Sequence, residues 1–151
     1  MGNRERLDAL DREILFQLSR DGRLSNVELA RRVGLTPPPC LRRVKRLEDT
    51  GVIAGYRAVI DPVATGRGLE VLIDVEIAAQ NLQTVQEFED TVSAYDEVVE
   101  FRRMFGRPDY LVRVAVEDHG AFEAFLSGKL IGLPGVLRVE SRLTMKLIKS
   151  N

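Results

Sequence analysis

The stretch from Ser25 to Gly51 constrains the fold of this chain more than any other, because two short helical patterns meet at a glycine within it. Ser25 and Glu28 have the spacing of a reciprocal capping box, which predicts a helix of about two to three turns. Gly34 ends that pattern, and the next helix is expected over residues 39–50. The sequence therefore predicts two short helices joined by a tight turn.

The second of these helices combines an apolar side with a cationic side. Spacings of three and four residues bring together its apolar side chains, which are Cys40, Leu41, Val44 and Leu47. On the opposite side, Arg42 and Arg46 lie near the middle and are flanked by Arg43 and Lys45. We therefore expect four cations to project from one short helix.

A run of prolines precedes this helix. Thr36 is expected to be the N-cap and to accept a backbone hydrogen bond, while Pro37, Pro38 and Pro39 occupy positions whose amides have no helical partner in any case. Proline disfavours the helical conformation in the residue before it. Pro37 and Pro38 are therefore expected in an extended turn ahead of the helix.

An earlier helix completes a three-helix pattern. Its apolar residues keep helical spacing until Asp21 and Gly22, and they are Leu7, Leu10, Ile14, Leu15 and Leu18. Three helices with short connections form a helix-turn-helix domain, which lays its last helix in the major groove of double-stranded DNA. A solvated basic face is the alternative for the four cations, but the capped helix and the glycine turn favour DNA binding.

The expected contacts with DNA follow from that placement. Arg42 and Arg46 lie at the centre of the exposed side, so they are expected to reach base edges. The residues expected nearer the phosphate backbone are Thr36, Pro38, Arg43 and Lys45.

The charge is divided unevenly along the chain. Residues 1–60 contain twelve Lys or Arg and eight Asp or Glu, a net charge of +4, whereas residues 61–151 contain ten and fifteen, a net charge of −5. A cationic half suits a phosphate backbone and an acidic half does not. We expect a DNA-binding domain over residues 1–60, a linker over 61–68 and a domain with a different task over 69–151.

Some classes of site and location are disfavoured by composition. One cysteine, Cys40, and one histidine, His119, cannot supply a disulfide or a zinc site, and no metal or cofactor is expected. Cys40 is interpreted as a small buried apolar residue. No apolar run approaches the roughly 18 residues of a membrane span, and the first ten residues are too charged for a signal peptide. A cytoplasmic protein that does not contact membranes is expected.

The rest of the chain alternates between strand and helix patterns. A short strand is expected over Val52–Ile60. The predicted order after the linker is a strand over residues 69–77, a helix capped by Thr84 and Glu87, strands over 98–105 and 110–116, a helix around Phe122 to Leu130, and a long strand over 137–147. This order is the ferredoxin-like α+β plan, an antiparallel sheet with both helices on one side.

In that plan the first strand of the second domain lies between the third and the fourth. Its outward acids, Glu70, Asp74 and Glu76, are expected to face cations of the neighbouring strands, which are Arg113, Arg138, Arg142 and Lys146. The same face carries Leu72 and Met104. It could be solvated or covered by another subunit.

Three runs carry a resemblance to a known family: TPPPCLRRVKRLEDTGVIAGY, FGRPDYLVRV and LPGV. They closely resemble the leucine-responsive regulators, also called Lrp/AsnC or feast/famine regulators, and the match covers nearly the whole chain. The most specific part is the Ser/Thr-Pro-x-Pro-Cys run followed by Arg/Lys and Leu-Glu, here Thr36 to Glu48. The resemblance implies a winged helix-turn-helix domain, a ferredoxin-like ligand-binding domain and a homodimer, often assembled into an octamer as a tetramer of dimers.

The resemblance also implies a small-molecule effector, usually an amino acid, bound between ligand domains near the turn after the second strand. The family's turn reads Gly-acidic-aromatic-Asp-Tyr/Phe, and the effector-binding residues expected here are Met104, Gly106, Arg107, Pro108, Asp109 and Tyr110. Asp109 suits an ammonium group, and amides near Gly106 suit a carboxylate. Arg107 and Pro108 depart from the pattern, so the effector's identity stays open. Asp109 could alternatively be only a turn residue.

Together these features predict a sequence-specific transcriptional regulator whose DNA affinity or assembly is shifted by an amino acid. One alternative is an architectural protein that wraps DNA with little sequence specificity and no effector. An enzyme is the third possible function, but the sequence contains no nucleophile with a partner base, no set of metal ligands and no glycine-rich phosphate loop. The chain is therefore expected not to be an enzyme.

Overall fold

The computed structural model describes residues 6–78 and 81–149. The chain divides into two compact units, Met1–Val59 and Ile60–Asn151, which are described separately below. The helices of both units are short, and none in the described ranges is long and apolar enough to cross a bilayer.

The first unit contains three helices, α1 (Ala9–Arg20), α2 (Asn26–Arg32) and α3 (Pro37–Asp49). Helix α1 begins with a capping box that the sequence analysis overlooked. The Asp8 carboxylate accepts from the Asp11 amide at 2.8 Å, and the Asp11 carboxylate accepts from the Asp8 amide at 3.2 Å. Helix α1 ends before Asp21, as predicted.

Helix α2 has half of its expected capping box. Ser25 Oγ accepts from the Glu28 amide at 3.2 Å, but the Glu28 carboxylate bonds to Arg31 and Arg32, each at 2.8 Å, instead of turning back to Ser25. These two hydrogen bonds lower the pKa of Glu28 to about 2, and the one from Arg31 has the larger effect. The prediction of a reciprocal box was wrong because two arginines one turn away offered the carboxylate stronger partners.

Helix α3 begins at Pro37, so the expected extended turn over Pro37 and Pro38 does not form. Both prolines fit inside the first helical turn, because no amide hydrogen is needed there. Thr36 is the N-cap, but its side chain makes no capping hydrogen bond. The Asn26 side-chain amide donates to the Pro37 carbonyl at 2.8 Å and so ties α2 to the start of α3. Gly34, between the two helices, has a φ of 70°, which explains the glycine at this turn.

The core of the first unit draws on all three helices. Its buried residues are Ile14, Leu29, Ala30, Val33, Cys40 and Leu47. Burial raises the pKa of the Cys40 thiol, in keeping with an apolar role.

The prediction of a strand over Val52–Ile60 is wrong. No strand occurs among residues 6–68, so this segment has no neighbouring strand to pair with. Two hydrogen bonds hold the segment instead. The Ile53 amide donates to the Leu47 carbonyl at 2.9 Å, and the Tyr56 hydroxyl donates to the Glu48 carboxylate at 2.8 Å.

The second unit has the predicted ferredoxin-like order. Its elements are β1 (Leu69–Ile77), α4 (Leu82–Ser93), β2 (Val98–Arg103), β3 (Tyr110–Val116), α5 (His119–Phe125) with a π-helical turn over Leu126–Leu130, and β4 (Val136–Leu143). The four strands form one antiparallel sheet in the order β2-β3-β1-β4. The prediction that β1 lies between β3 and β4 is confirmed.

Several boundaries differ from the prediction. Helix α4 begins at Leu82, because Asn81 rather than Thr84 caps it and accepts from the Thr84 amide at 2.9 Å. Strand β2 ends at Arg103 and not at Phe105. Strand β4 ends at Leu143, and the alternating residues beyond it, Met145 and Leu147, are exposed. Residues 61–68, expected to be a linker, contain a turn closed by the Arg67 amide on the Pro62 carbonyl at 2.7 Å.

The two faces of the sheet differ in chemistry. The inner face packs against α4 and α5 through the core residues Val71, Ile73, Val75, Phe88, Val92, Tyr110, Val112, Val114, Phe125 and Leu130. On the outer face Arg113 pairs with Glu70 at 3.4 Å and with Glu100 at 2.9 Å, and Arg142 pairs with Asp74. Two expected pairs differ: Arg138 lies opposite Glu76 but bonds to Glu140 at 3.2 Å, and Lys146 lies beyond the strand.

Candidate functional site

The cationic side of α3 is divided into two pairs of residues. Arg42 and Lys45 are exposed and have no hydrogen-bond or ion-pair partner within the described residues. Arg43 and Arg46 turn instead toward the start of α1. Arg43 Nη1 lies 2.7 Å from Asp8 Oδ2 and 2.8 Å from Asp11 Oδ1.

Arg46 shares the same acid. Its Nη2 lies 2.6 Å from Asp11 Oδ2, and the Asp11 side chain is only 1% exposed. Hydrogen bonds to Asp8 first and then to Asp11 raise the pKa of Arg43. The Asp11 amide first, and then Arg43, lower the pKa of Asp8. Sequence reasoning missed both acids, although their spacing of three residues before an apolar helix is a capping signal.

The start of α3 offers no amide hydrogens. Thr36 and Pro38 are exposed there, and the three consecutive prolines leave Cys40 as the first residue of the helix with an amide hydrogen. That amide donates to the Thr36 carbonyl at 3.3 Å. An anion approaching this end therefore cannot use the backbone donors that many helix starts provide. Attraction of phosphate by α3 has to come from its side-chain cations.

A cavity of about 470 Å³ lies in the second unit beside the turn between β2 and β3. It brings together five of the six residues predicted to bind an effector: Met104, Gly106, Arg107, Asp109 and Tyr110. Its walls also contain Ile77, Val85, Arg103 and Phe105, which the sequence analysis did not select. Pro108 is absent from this lining and instead borders a smaller cavity beside Glu140 and Arg142.

Asp109 has a structural role at this turn in addition to facing the cavity. Its Oδ2 accepts from the Ile77 amide at 2.8 Å, and its carbonyl accepts from the Met104 amide at 2.8 Å. The first bond ties the turn to the end of β1, and the second closes the hairpin. The carboxylate is thus held in a fixed position with Oδ1 remaining as an acceptor.

Tyr110 lines the cavity while its ring packs in the core. Its hydroxyl donates to Glu89 Oε1 at 2.8 Å. Burial, followed by the hydrogen bond to Glu89, raises the pKa of Tyr110 to about 12. Arg103 Nη1 lies 3.4 Å from the same Glu89 oxygen. Arg103 and Arg107 make this side of the cavity cationic, next to the single carboxylate of Asp109.

The outer face of the sheet carries a larger cavity of about 910 Å³. Its lining combines seven residues between Ile60 and Glu70 with Val99, Arg113, Ala115 and residues 144–147. In the sequence, this cavity is marked by the alternating apolar residues that continue past β4 to Leu147. They were predicted to extend the strand, but they border an open surface with both apolar and charged residues.

Comparison with family models divides the chain in the same way. Residues 7–54 match a winged helix-turn-helix DNA-binding model, and residues 70–151 match the Lrp/AsnC ligand binding domain. The leucine-responsive regulatory protein of Haemophilus influenzae is 38% identical over 143 residues, which cover 95% of this chain and 86% of that protein. The Escherichia coli K12 protein of the same name is also 38% identical, over 96% of this chain and 88% of its own.

Solved structures give the same result. A transcriptional regulator of Neisseria meningitidis, in complex with L-Met, has a TM-score of 0.90 and 37% identity, and the match covers 96% of this chain and 94% of that one. An AsnC family transcriptional regulator of Agrobacterium tumefaciens has a TM-score of 0.87 and 38% identity over 95% and 94% of the two chains. Both similarities extend over the helical unit and the sheet.

Proposed function

The chain belongs to the Lrp/AsnC family of DNA-binding transcriptional regulators with a ligand-binding domain, and from this membership we propose how its own residues perform the two tasks. It binds particular sites in double-stranded DNA through α3. An amino acid held at the turn between β2 and β3 shifts that binding. Two cations of α3, Arg43 and Arg46, are paired with acids of the first unit, while Arg42 and Lys45 have no partner within the described residues. This division is the observation that carries the first half of the proposal.

Arg42 is the residue that reads base edges. It is exposed on α3 and lacks a partner within the described residues, so its planar guanidinium is available to make the bidentate contact that guanine accepts. Lys45, one turn away, supplies a mobile point charge for phosphate, and Thr36 and Pro38 lie at the end of the helix that meets the backbone. Arg46 was expected at base edges, but its ion pair with Asp11 favours a supporting role.

The cavity at the turn suits an amino acid with an apolar side chain. Asp109 Oδ1 can accept a hydrogen bond from the ammonium group of the amino acid, and the Arg107 guanidinium can donate to its carboxylate. Ile77, Val85 and Met104 provide apolar walls for the side chain. The Neisseria meningitidis relative was solved with L-Met, which supports an amino acid as the class of effector here.

A homodimer forms through the outer face of the sheet, and dimers associate further, up to an octamer. Leu72 and Val99 are exposed there among opposite charges, beside the cavity of about 910 Å³. An open face that mixes apolar and paired charged residues suits a second copy of itself across a two-fold axis. A dimer would also bring two α3 helices to the half-sites of a pseudo-palindrome.

Replacing Arg42 with alanine tests the DNA-binding proposal. Affinity is measured by fluorescence anisotropy for a duplex selected from a random pool and for a random duplex. Arg42→Ala should weaken binding to the selected duplex by about 1 to 3 kcal/mol and to the random duplex by much less, because a base contact carries sequence information. Arg20→Ala, which removes the same charge at the end of α1, is the control. An equal loss on both duplexes would make Arg42 a phosphate contact.

The same measurement separates this proposal from a DNA-wrapping protein of low specificity. Such a protein would bind both duplexes with nearly the same affinity and a steep salt dependence. A selected-to-random ratio near one for the unmodified protein would therefore favour the architectural function.

A further inference from the structure

Asp11 is a buried carboxylate at the junction of α1 and α3. Its side chain is 1% exposed, and each oxygen serves an arginine of α3: Oδ1 lies 2.8 Å from Arg43 Nη1, and Oδ2 lies 2.6 Å from Arg46 Nη2. Oδ2 also accepts from the Asp8 amide at 3.2 Å. The carboxylate is thus fixed by bonds from both helices.

The two arginines are neighbours on α3, because residues three apart in a helix lie on the same side. Asp8 adds a second carboxylate to Arg43 at 2.7 Å. The four groups form a compact acid clamp, defined here as Asp8, Asp11, Arg43 and Arg46. Within the clamp, two negative charges balance two positive ones.

The clamp divides the cations of α3 by their availability to phosphate. A guanidinium already bonded to carboxylates has fewer donors for another anion, and the nearby carboxylates repel phosphate. Arg42 and Lys45 lie outside the clamp and are exposed. Phosphate contacts provide affinity without sequence information, whereas base contacts provide the specificity.

We propose that Asp11 is a positioning residue that holds Arg43 and Arg46 against α1, limits their contact with phosphate and thereby raises the selectivity of α3 for its site. This role rests on the proposed binding of DNA by α3. Asp11 itself does not touch DNA. Its effect is to lower binding to random duplexes more than binding to the selected one.

A purely structural role for Asp11 predicts a different result. Removing one partner of a buried ion pair destabilises a fold, but that loss acts on every duplex equally. The dependence of DNA affinity on salt concentration distinguishes the two roles, because its slope counts the phosphates that the protein neutralises. The ratio of selected to random affinity distinguishes them independently.

The test uses the full chain with Asp11→Asn, which removes the charge and keeps an oxygen able to accept the Asp8 amide. Affinity for selected and random duplexes is measured across a series of KCl concentrations. The variant should bind the random duplex roughly tenfold more tightly, with a salt slope steeper by about one to two, since each phosphate adds about 0.9. Its selected-to-random ratio should fall about fivefold or more.

Two further variants complete the design. Glu13→Gln removes the same charge from an exposed position of α1 and should change neither slope nor ratio. Asp8→Asn keeps a good N-cap residue and removes one of two carboxylates from Arg43, so it should give a smaller increase in slope. Asp8 is 49% exposed, so this variant should fold, and it provides the test if Asp11→Asn does not fold.

If Asp11→Asn loses affinity equally for both duplexes and its salt slope is unchanged, the proposed role of Asp11 is wrong. If Asp11→Asn does not fold, an unchanged salt slope and an unchanged selected-to-random ratio in Asp8→Asn would overturn the role in the same way. The Arg42→Ala result separates this failure from a failure of the proposed function. If Arg42→Ala costs only selected binding while Asp11→Asn changes neither slope nor ratio, the clamp alone is wrong. If Arg42→Ala and Lys45→Ala leave both duplexes bound as before, α3 is not the DNA-binding surface.

Discussion

Tyr110 is 1% exposed, yet its hydroxyl is polar and has to be satisfied inside the second unit. Glu89 of α4 accepts that hydroxyl at 2.8 Å, while the ring packs 5.0 Å from Phe88 and 5.2 Å from Phe101 between centroids. One side chain thus joins β3, α4 and the wall of the cavity beside the turn between β2 and β3. Burial first, and then the hydrogen bond to Glu89, favours the protonated phenol and raises the pKa of Tyr110 to about 12.

Tyr110→Phe should lower the free energy of unfolding by about 1 kcal/mol at neutral pH, since one hydrogen bond to Glu89 is lost. With a raised pKa, the contribution of the bond is fully present below a pH of about 10 and is lost as the pH rises toward 12. Urea unfolding at neutral pH measures the first effect. A phenolate absorbance titration measures the second.

The pKa of Tyr56 is also raised to about 12, by burial first and then by its hydrogen bond to Glu48. In that titration the component with a midpoint near 12 should therefore lose about half of its amplitude in the variant and not disappear. Tyr95→Phe is the matched control, because it removes a hydroxyl that donates to the Lys129 carbonyl outside the cavity. Loss of a component near 10 in Tyr110→Phe would contradict the raised pKa, and with it both the burial of the phenol and its bond to Glu89.

At the scale of elements, β1 illustrates how one strand contributes to two surfaces. Its inward residues Val71, Ile73 and Val75 are fully buried against the helices. Its outward residues alternate with them, and Leu72, at 38% exposure, lies between the ion pairs of Glu70 and Asp74. One face of the strand is therefore buried within this unit, and in the proposed dimer the other face is covered by a second copy of the chain.

Leu72→Glu should dissociate that dimer, because it places a further carboxylate at the centre of a face that meets itself across a two-fold axis. Sedimentation velocity should show the monomer or a large rise in the dimer dissociation constant. Leu82→Glu makes the same change at the start of α4, where the leucine is 82% exposed, and should leave assembly unchanged. A Leu72→Glu variant that sediments like the unmodified protein would place the interface elsewhere.

On the scale of the whole molecule, two units of opposite charge are joined in one chain, one for DNA and one for a ligand. A ligand in the second unit can alter DNA binding only if it binds one arrangement or assembly of the chain better than another. The size of the effect is limited by that difference in affinity. By the same coupling, DNA must change the affinity for the ligand.

A thermal-shift screen of the twenty amino acids tests the effector proposal. At a concentration of 100 times its dissociation constant, an amino acid that binds the folded protein adds about 2.7 kcal/mol to the free energy of unfolding and raises the melting temperature. Arg107→Gln should abolish the shift by removing the carboxylate partner, while Arg102→Gln, an exposed arginine outside the cavity, should keep it. A flat screen would contradict the effector proposal and leave DNA binding untouched.

Periodicity predicted most of this fold because it is a local property. Strand β3 was predicted with its observed bounds. The C-terminal end of α1 and the order of all strands and helices in the second unit were also correct. The winged helix-turn-helix and ferredoxin-like assignments followed from those patterns and from the family resemblance. Errors arose where a nearby side chain competed for a cap, as at Glu28 and Thr84, or where alternation continued beyond its partner strand, as at Met145.

The sequence by itself determined the helices, the strands, the family and the cationic side of α3, since each depends on residues close together in the chain. Only the tertiary structure decided which cations of α3 are paired with acids of the first unit. Asp8 and Asp11 lie 32 or 35 residues from the arginines they bind: 35 in the pairs Arg43–Asp8 and Arg46–Asp11, and 32 in the pair Arg43–Asp11. Helical spacing gives the direction in which a side chain leaves its helix, but its partner depends on how the helices pack, and packing brings distant residues together.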